Sequence, residues 1–138
     1  IGTAAANDEG YLKTIGVDEV IDYMKVNFED VVKDVDVVLD CMGGEVQERS
    51  WQVLKKGGFL VTIMEPLPEG KAEALGVRAE RVFVKPDAGE LREISKVTEE
   101  GHLVPNIYKV FSLEEAREAH ELIEKGQTRG KIVLSVKE

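Results

Sequence analysis

The chain of 138 residues is poor in the residues that staple, ligate or span. Cys41 is its one cysteine, so no intrachain disulfide is possible and a reducing compartment, the cytoplasm, is the expected setting. The two histidines, His102 and His120, stand far from Cys41 and from each other, which leaves no zinc-ligand spacing and no expected metal. No apolar run approaches the roughly 18 residues that cross a bilayer as a helix, so a membrane span is not expected. The first residues also lack the charged-then-apolar order of a secretory leader. Positive charge is scarce: 18 Lys and Arg against 27 Asp and Glu leave a net −9. A surface of that sign repels phosphate backbones, so nucleic acid is not an expected partner. A nucleotide is not barred, because main-chain N–H groups and helix N-termini can hold its phosphates. Ile1 stands where Met would, so a fragment, a processed form or a trimmed piece is expected.

What is present is an ordinary core-forming mixture, 43% hydrophobic and 33% charged, in an amount that suits one domain. Apolar runs of strand length alternate with amphipathic stretches, the signature of a parallel sheet covered by helices. Ile1-Gly2-Thr3 reads as the tail of a strand. Asp8 to Ile15 has helical spacing, with Leu12 and Ile15 inward and Gly16 as its stop. Glu19 to Asp22 is a short strand, Phe28 to Val32 a turn or two of helix, and Val35 to Asp40 a buried strand. Gly43-Gly44 opens a helix that runs to about Leu54, with Val46, Ser50, Val53 and Leu54 on one face and Trp51 packing. Gly57-Gly58 turns into a strand from Phe59 to Met64. The loop from Glu65 to Gly70 is the weakest point for a boundary; a helix from Lys71 to Leu75 and a strand from Arg81 to Val84 follow it. Asp87 and Glu90 have capping-box spacing before a helix with Leu91, Ile94 and Val97 inward. Val104 to Phe111 is extended, interrupted by Pro105. Ser112 and Glu115 form a second capping box, whose helix presents Leu113, Ala116, His120 and Ile123 on one face. Lys131 to Val136 closes the chain as a strand.

In open parallel sheets ligands sit at the carboxyl ends of strands. Three such ends carry suitable residues. At Thr3 to Asn7, small residues leave the main chain accessible, and hydroxyl and amide groups can bond a ribose or its 2′-phosphate. At Cys41-Met42-Gly43-Gly44, paired glycines admit a ligand to the main chain in front of a helix. Met64 to Pro66 is the third. Each has a plainer reading, since a glycine after a strand is most often a turn. Cys41 is expected as a small apolar filler, His120 as a packed core histidine and His102 as a surface or turn residue. Tyr23 serves either packing or ligand contact. Glu114, Glu115, Glu118, Glu121 and Glu124 make a solvated helix face with Arg117 and Lys125 as partners.

The order of these pieces carries more. Leu12-Lys13-Thr14-Ile15-Gly16-Val17-Asp18-Glu19-Val20-Ile21-Asp22-Tyr23, Val35-Asp36-Val37-Val38-Leu39-Asp40-Cys41-Met42-Gly43-Gly44, Leu54-Lys55-Lys56-Gly57-Gly58-Phe59-Leu60-Val61 and Gly130-Lys131-Ile132-Val133-Leu134 follow one another in the order and spacing of a known family. Together they resemble the C-terminal, nucleotide-binding part of medium-chain dehydrogenase/reductases, of the quinone oxidoreductase and zinc-type alcohol dehydrogenase kind. The resemblance implies an α/β fold: a Rossmann-like parallel sheet with flanking helices, missing its first βα unit. Residues 1–138 would then be a partial NAD(P)-binding domain, with the glycine-rich pyrophosphate loop and the catalytic domain expected upstream of Ile1.

By position, the resemblance puts Thr3, Ala4 and Asn7 on the adenosine ribose, with Tyr23 near the adenine or 2′-phosphate. Met42, Gly43, Gly44, Ile63, Met64, Phe83 and Val84 would border the nicotinamide. No acidic residue ends the first strand to bond a ribose 2′-OH, which leans toward NADPH with NADH possible. The implied activity is zinc-independent reduction of a small quinone or enone, with no catalytic residue in this chain, and the implied assembly is a homodimer joined through Arg81 to Val84. Two other functions share parts of the pattern. One is an S-adenosylmethionine-dependent methyltransferase, whose sheet would end in an antiparallel hairpin; the other is a non-catalytic nucleotide-binding or interaction module.

Overall fold

The structure is a computed structural model that describes residues 1–126 and 128–136. The chain divides into two compact units, Ile1–Val84 and Lys85–Glu138. The division therefore falls beside Pro86, and the expected weak point at residues 65–70 lies inside the first unit. Every strand pairing among the described residues is parallel.

The first unit holds two sheets. Strand β1 (Gly2–Ala4) pairs with β2 (Val20–Asp22), Gly2 opposite Val20 and Ala4 opposite Asp22. A turn of 3-10 helix (Ala6–Asp8) and helix α1 (Glu9–Thr14) connect them. Ile15, expected inward, falls just past the end of α1 and is 58% exposed. Helix α2 (Phe28–Val31) then leads to the second sheet, in the order β3 (Val35–Asp40), β4 (Leu54–Thr62), β5 (Arg78–Arg81). Helix α3 (Gly44–Ser50), continued by a 3-10 turn (Trp51–Val53), crosses from β3 to β4, and α4 (Lys71–Leu75) crosses from β4 to β5.

The core of this unit lies on one face of the second sheet. Val38 pairs with Leu60 and Asp40 with Thr62, and this period-2 spacing gives the four residues a common face. Leu60 and Thr62 are fully buried, as nearly are Trp51 and Val53 of the crossover, which confirms Trp51 as packing. The opposite face carries Val37 and Leu39, both largely exposed.

Two strand expectations are corrected here. The glycine pair is not a turn that precedes the strand: β4 starts at Leu54, and Lys55 to Gly58 form an irregular stretch between the pairs Val35–Leu54 and Val37–Phe59. The strand expected at Arg81 to Val84 lies earlier, at Arg78–Arg81. Its ladder runs from Phe59–Arg78 to Thr62–Arg81 and ends with Val82 N donating to the Thr62 carbonyl, because β4 offers no partner beyond Thr62. Ile63 and Met64 likewise lie just past β4, and Phe83 and Val84 follow β5 as exposed chain outside any strand.

In the second unit, α5 (Ala88–Glu99) is capped by Asp87, whose carboxylate accepts from Gly89 N at 2.6 Å and Glu90 N at 2.9 Å. Strand β6 (Ile107–Ser112) starts after Pro105 rather than at Val104 and pairs with β7 (Lys131–Ser135). Between them, the capping box of Ser112 and Glu115 opens a 3-10 turn (Leu113–Glu115) and helix α6 (Ala116–Glu124), as expected. Phe111 and Ala119 are buried. Leu91, Ile94 and Val97 were expected inward but are exposed, and so are Leu113, Ile123 and His120, which is therefore not a core histidine. Two strands offer too little apolar area to cover both helices. Arg117 meets Glu121 at 3.0 Å on the acidic face of α6.

A side chain at position 58 has no room. A Cβ there would lie 2.9 Å from the Lys55 carbonyl oxygen, and backbone cannot swing aside. Gly58→Ala is expected to destabilise the fold by about 1–3 kcal/mol, the range for overpacking, read as a lower Tm in thermal denaturation.

Candidate functional site

The carboxyl ends of β3 and β4 are joined by one buried carboxylate. Asp40 ends the apolar strand Val35–Asp40 and faces the core at 3% exposure, where a charge survives only if it is hydrogen-bonded. Its Oδ1 accepts from Met42 N at 3.0 Å and Gly43 N at 2.9 Å. Its Oδ2 accepts from Thr62 Oγ1 at 2.8 Å and Gln47 Nε2 at 3.0 Å. Thr62 Oγ1 in turn accepts from Met64 N at 3.1 Å and Gln47 Nε2 at 3.3 Å. Burial alone pushes the Asp40 carboxyl up; the donors from Gly43, Met42, Gln47 and Thr62 outweigh it and hold the group below the ordinary carboxylate range.

This network brings two loops side by side. Gly43 adopts φ 70°, and a Cβ there would meet the Met64 Cβ at 3.1 Å, so glycine is required by both backbone and space. Gly44 also has positive φ but faces open space, with nothing within 4 Å of a Cβ position. Its N–H donates to Glu65 Oε2 at 3.3 Å. On the solvent side Arg81 Nε donates to the Met64 carbonyl at 2.7 Å, and the guanidinium lies 5.4 Å from the Phe83 ring centroid. Met42, Gly43, Gly44, Ile63, Met64 and Phe83 are thus neighbours around one rim, with Val84 next along the chain. Met42, Ile63, Met64, Phe83 and Val84 all leave apolar surface exposed.

Thr3, Ala4, Asn7 and Tyr23 gather at the corresponding ends of β1 and β2. Tyr23 N donates to the Ala4 carbonyl at 3.2 Å, while its side chain is 57% exposed. Tyr23 is therefore not a packing residue. Thr3 pairs with Ile21 and, like Asn7, is exposed. This group belongs to the β1–β2 sheet, which no described ladder joins to β3–β4–β5. Cys41, expected as a small apolar filler, is exposed instead, in the bend that follows β3.

Asp40, Gln47, Thr62 and Arg81 are absent from the candidate site residues of the sequence, and Glu65 stands there only within the strand end Met64 to Pro66, with no partner indicated. A signal for Asp40 and Thr62 was present, since each is the polar residue that closes an apolar run, Val37-Val38-Leu39-Asp40 and Phe59-Leu60-Val61-Thr62. Gln47, Glu65 and Arg81 depend on contacts distant in sequence and had none. Among the described residues no group of three or more His, Cys, Asp or Glu could hold a metal ion.

Parallel strands crossed by helices, with loops converging at their carboxyl ends, define a Rossmann-like α/β protein. More narrowly, the chain belongs to the zinc-binding dehydrogenase family, whose pattern matches residues 15–134. It is similar to the 2-methylene-furan-3-one reductase of Solanum lycopersicum, at 34% identity over 89% of this chain and 30% of that protein. It is similar also to a mitochondrial NAD(P)H oxidoreductase of Danio rerio, at 28% identity over 99% of this chain and 42% of that protein. Among solved structures, the quinone oxidoreductase of Coxiella burnetii matches with a TM-score of 0.78 and 31% identity, over 98% of this chain and 44% of that one. The chain spans less than half the length of these relatives. The family, and the parallel rather than antiparallel pairing of β6 with β7, set the methyltransferase alternative aside.

Asp40→Asn is expected to destabilise the protein by about 2 kcal/mol at neutral pH, because an amide cannot accept from every donor around that position. The carboxylate's contribution is present above its unfolded pKa of about 4 and is lost as pH falls through the lowered folded value. The gap in stability between the two proteins should therefore close on acidification, as measured by denaturant titration at a series of pH values.

Proposed function

We propose that this chain is nucleotide-binding sequence of an NAD(P)H-dependent reductase of quinone or enone type, and that residues 1–138 form part of its dinucleotide-binding domain. The observation that carries this is the rim at β3 and β4, where Gly43-Gly44 and Ile63-Met64 are held against each other by Asp40. The fit to a flat ring is physical. The open space at Gly44 lets a ring approach the main chain, and the exposed apolar surfaces of Met42, Ile63, Met64, Phe83 and Val84 suit its faces and exclude water. Thr3 and Asn7 bring a hydroxyl and an amide to the end of β1, where they bond the adenosine ribose, with Tyr23 alongside. The nicotinamide supplies the hydride when bound. This chain's residues orient the ring and keep its surroundings dry, and none of them is assigned a proton.

NADPH is the favoured cofactor. Ala4 ends β1 where an acidic side chain would select for the ribose 2′-OH, and NADH binding stays weaker but possible. Lys13 lies further along α1, where its ammonium donates to the Asp18 carbonyl. The substrate is a small quinone or enone, a class that the named activities of the tomato and Coxiella proteins support. No catalytic zinc is required of these residues. The setting is the cytoplasm, although the Danio rerio relative is named as mitochondrial. The assembly is a homodimer that buries the exposed apolar segment Val82-Phe83-Val84.

Calorimetric titration should give heat with NADPH and weaker binding with NADH; heat from neither would mean that residues 1–138 are not a functional nucleotide-binding module. Light scattering should return twice the chain mass, and a monomer would remove the dimer.

A further inference from the structure

We infer that Asp40 and Thr62 are positioning residues for the nicotinamide end of the crevice: the Thr62 hydroxyl, fixed by the Asp40 carboxylate, sets the spacing between the Gly43 loop and the Met64 loop. The inference rests on the cofactor assignment above and deepens it. Neither side chain is available to touch a ligand, because Thr62 is fully buried and Asp40 is 3% exposed. What they hold is the main chain. Asp40 Oδ1 takes the N–H groups of Met42 and Gly43, and its Oδ2 takes the Thr62 hydroxyl, whose oxygen takes the N–H of Met64. One carboxylate and one hydroxyl therefore tie both loops to a single point. Gln47 Nε2 donates to Asp40 and also to Thr62, which orients both acceptors from α3. A second tie reaches the same loop from outside, where Arg81 Nε holds the Met64 carbonyl.

The geometry explains why the hydroxyl is retained at a core position. Valine at 62 would fill the same space as threonine without burying a polar atom, and it would leave Met64 N without its acceptor and Asp40 without one donor. A binding surface must hold its groups within about 0.5 Å of the productive arrangement. A rim made of two loops meets that requirement only if the loops move as one body.

A ligand series separates positioning from general stability. The probes are NADPH and 2′-phospho-ADP-ribose, which keeps the adenosine and both phosphates of its backbone but lacks the nicotinamide. Thr62→Val is expected to weaken NADPH about tenfold, the equivalent of one net hydrogen bond, and to leave 2′-phospho-ADP-ribose unchanged. Thr62→Ser, which restores the hydroxyl without the methyl, should return the NADPH affinity. Arg81→Met removes the exposed tie to Met64, together with the guanidinium's contact on Phe83, touches no buried group, and keeps the protein folded if Thr62→Val does not. It should shift the NADPH-to-2′-phospho-ADP-ribose ratio in the same direction. An equal loss of both ligands in Thr62→Val, or an unchanged ratio in both variants, would overturn the positioning role while leaving the cofactor assignment intact. If the unsubstituted protein bound neither ligand, residues 1–138 would not be a nucleotide-binding module and this inference would fall with that reading.

Discussion

A buried carboxylate must be answered by donors, and the way Asp40 is answered organises the first unit. Four donors converge on it from a loop, a helix and a neighbouring strand. In a site shielded from water such charge-assisted bonds are stronger than their counterparts at the surface, and leaving any of them unmade is costly. The constraint propagates outward. Gly43 must take a left-handed backbone to present its N–H to Oδ1, and the Met64 Cβ then closes against it, so no larger residue fits. The helix that starts at Gly44 is aimed by the same bond network, because Gln47 on its first turns reaches back to Asp40.

The apolar core supports this arrangement but does not produce it. Leu60, two residues before Thr62 on the same face of β4, is fully buried behind the strand ends, while Trp51 and Val53 are buried at the amino end of the same strand; burial of this kind makes the carboxylate's bonds strong. The same core is small. Val37 and Leu39 on the other face of the sheet, and Leu91, Ile94 and Val97 on α5, remain exposed. Apolar packing of this extent fixes where strands lie, whereas the register of the loops at their ends needs directional contacts, which the hydrogen bonds of Asp40 and Thr62 provide.

How much of this was legible in the sequence follows from which interactions are local. The strand Val35–Asp40 and the helix Lys71–Leu75 appear where the pattern put them, and the Ser112–Glu115 box forms as its spacing requires, because each is written into neighbouring residues. The strand after α4 was misplaced by its apolar character. Val82, Phe83 and Val84 look like a strand, yet pairing stops where β4 stops, at Thr62, and that limit is a property of the partner. The inward faces of α5 and α6 were misjudged for a related reason: helical spacing identifies an apolar stripe but says nothing of the surface available to cover it. At the rim, the glycines and apolar loop residues could be read because strand ends are where ligands sit. Asp40 could be noticed only as the polar end of an apolar run, and the arginine that holds Met64 lies outside any local pattern.

The rim also shows why paired glycines after a strand carry more than one meaning. Gly43 is occupied by structure: its N–H serves Asp40, and its missing side chain makes room for Met64. Gly44 is different, since nothing lies near its Cβ position and its N–H meets only the flexible carboxylate of Glu65. A substitution at the first glycine disturbs the scaffold, whereas a small side chain at the second projects into open space and meets only the cost of an unfavourable φ. The ordinary reading of such a pair as a turn therefore describes Gly43 well. At Gly44 it is the backbone, with its positive φ, and not packing that calls for glycine.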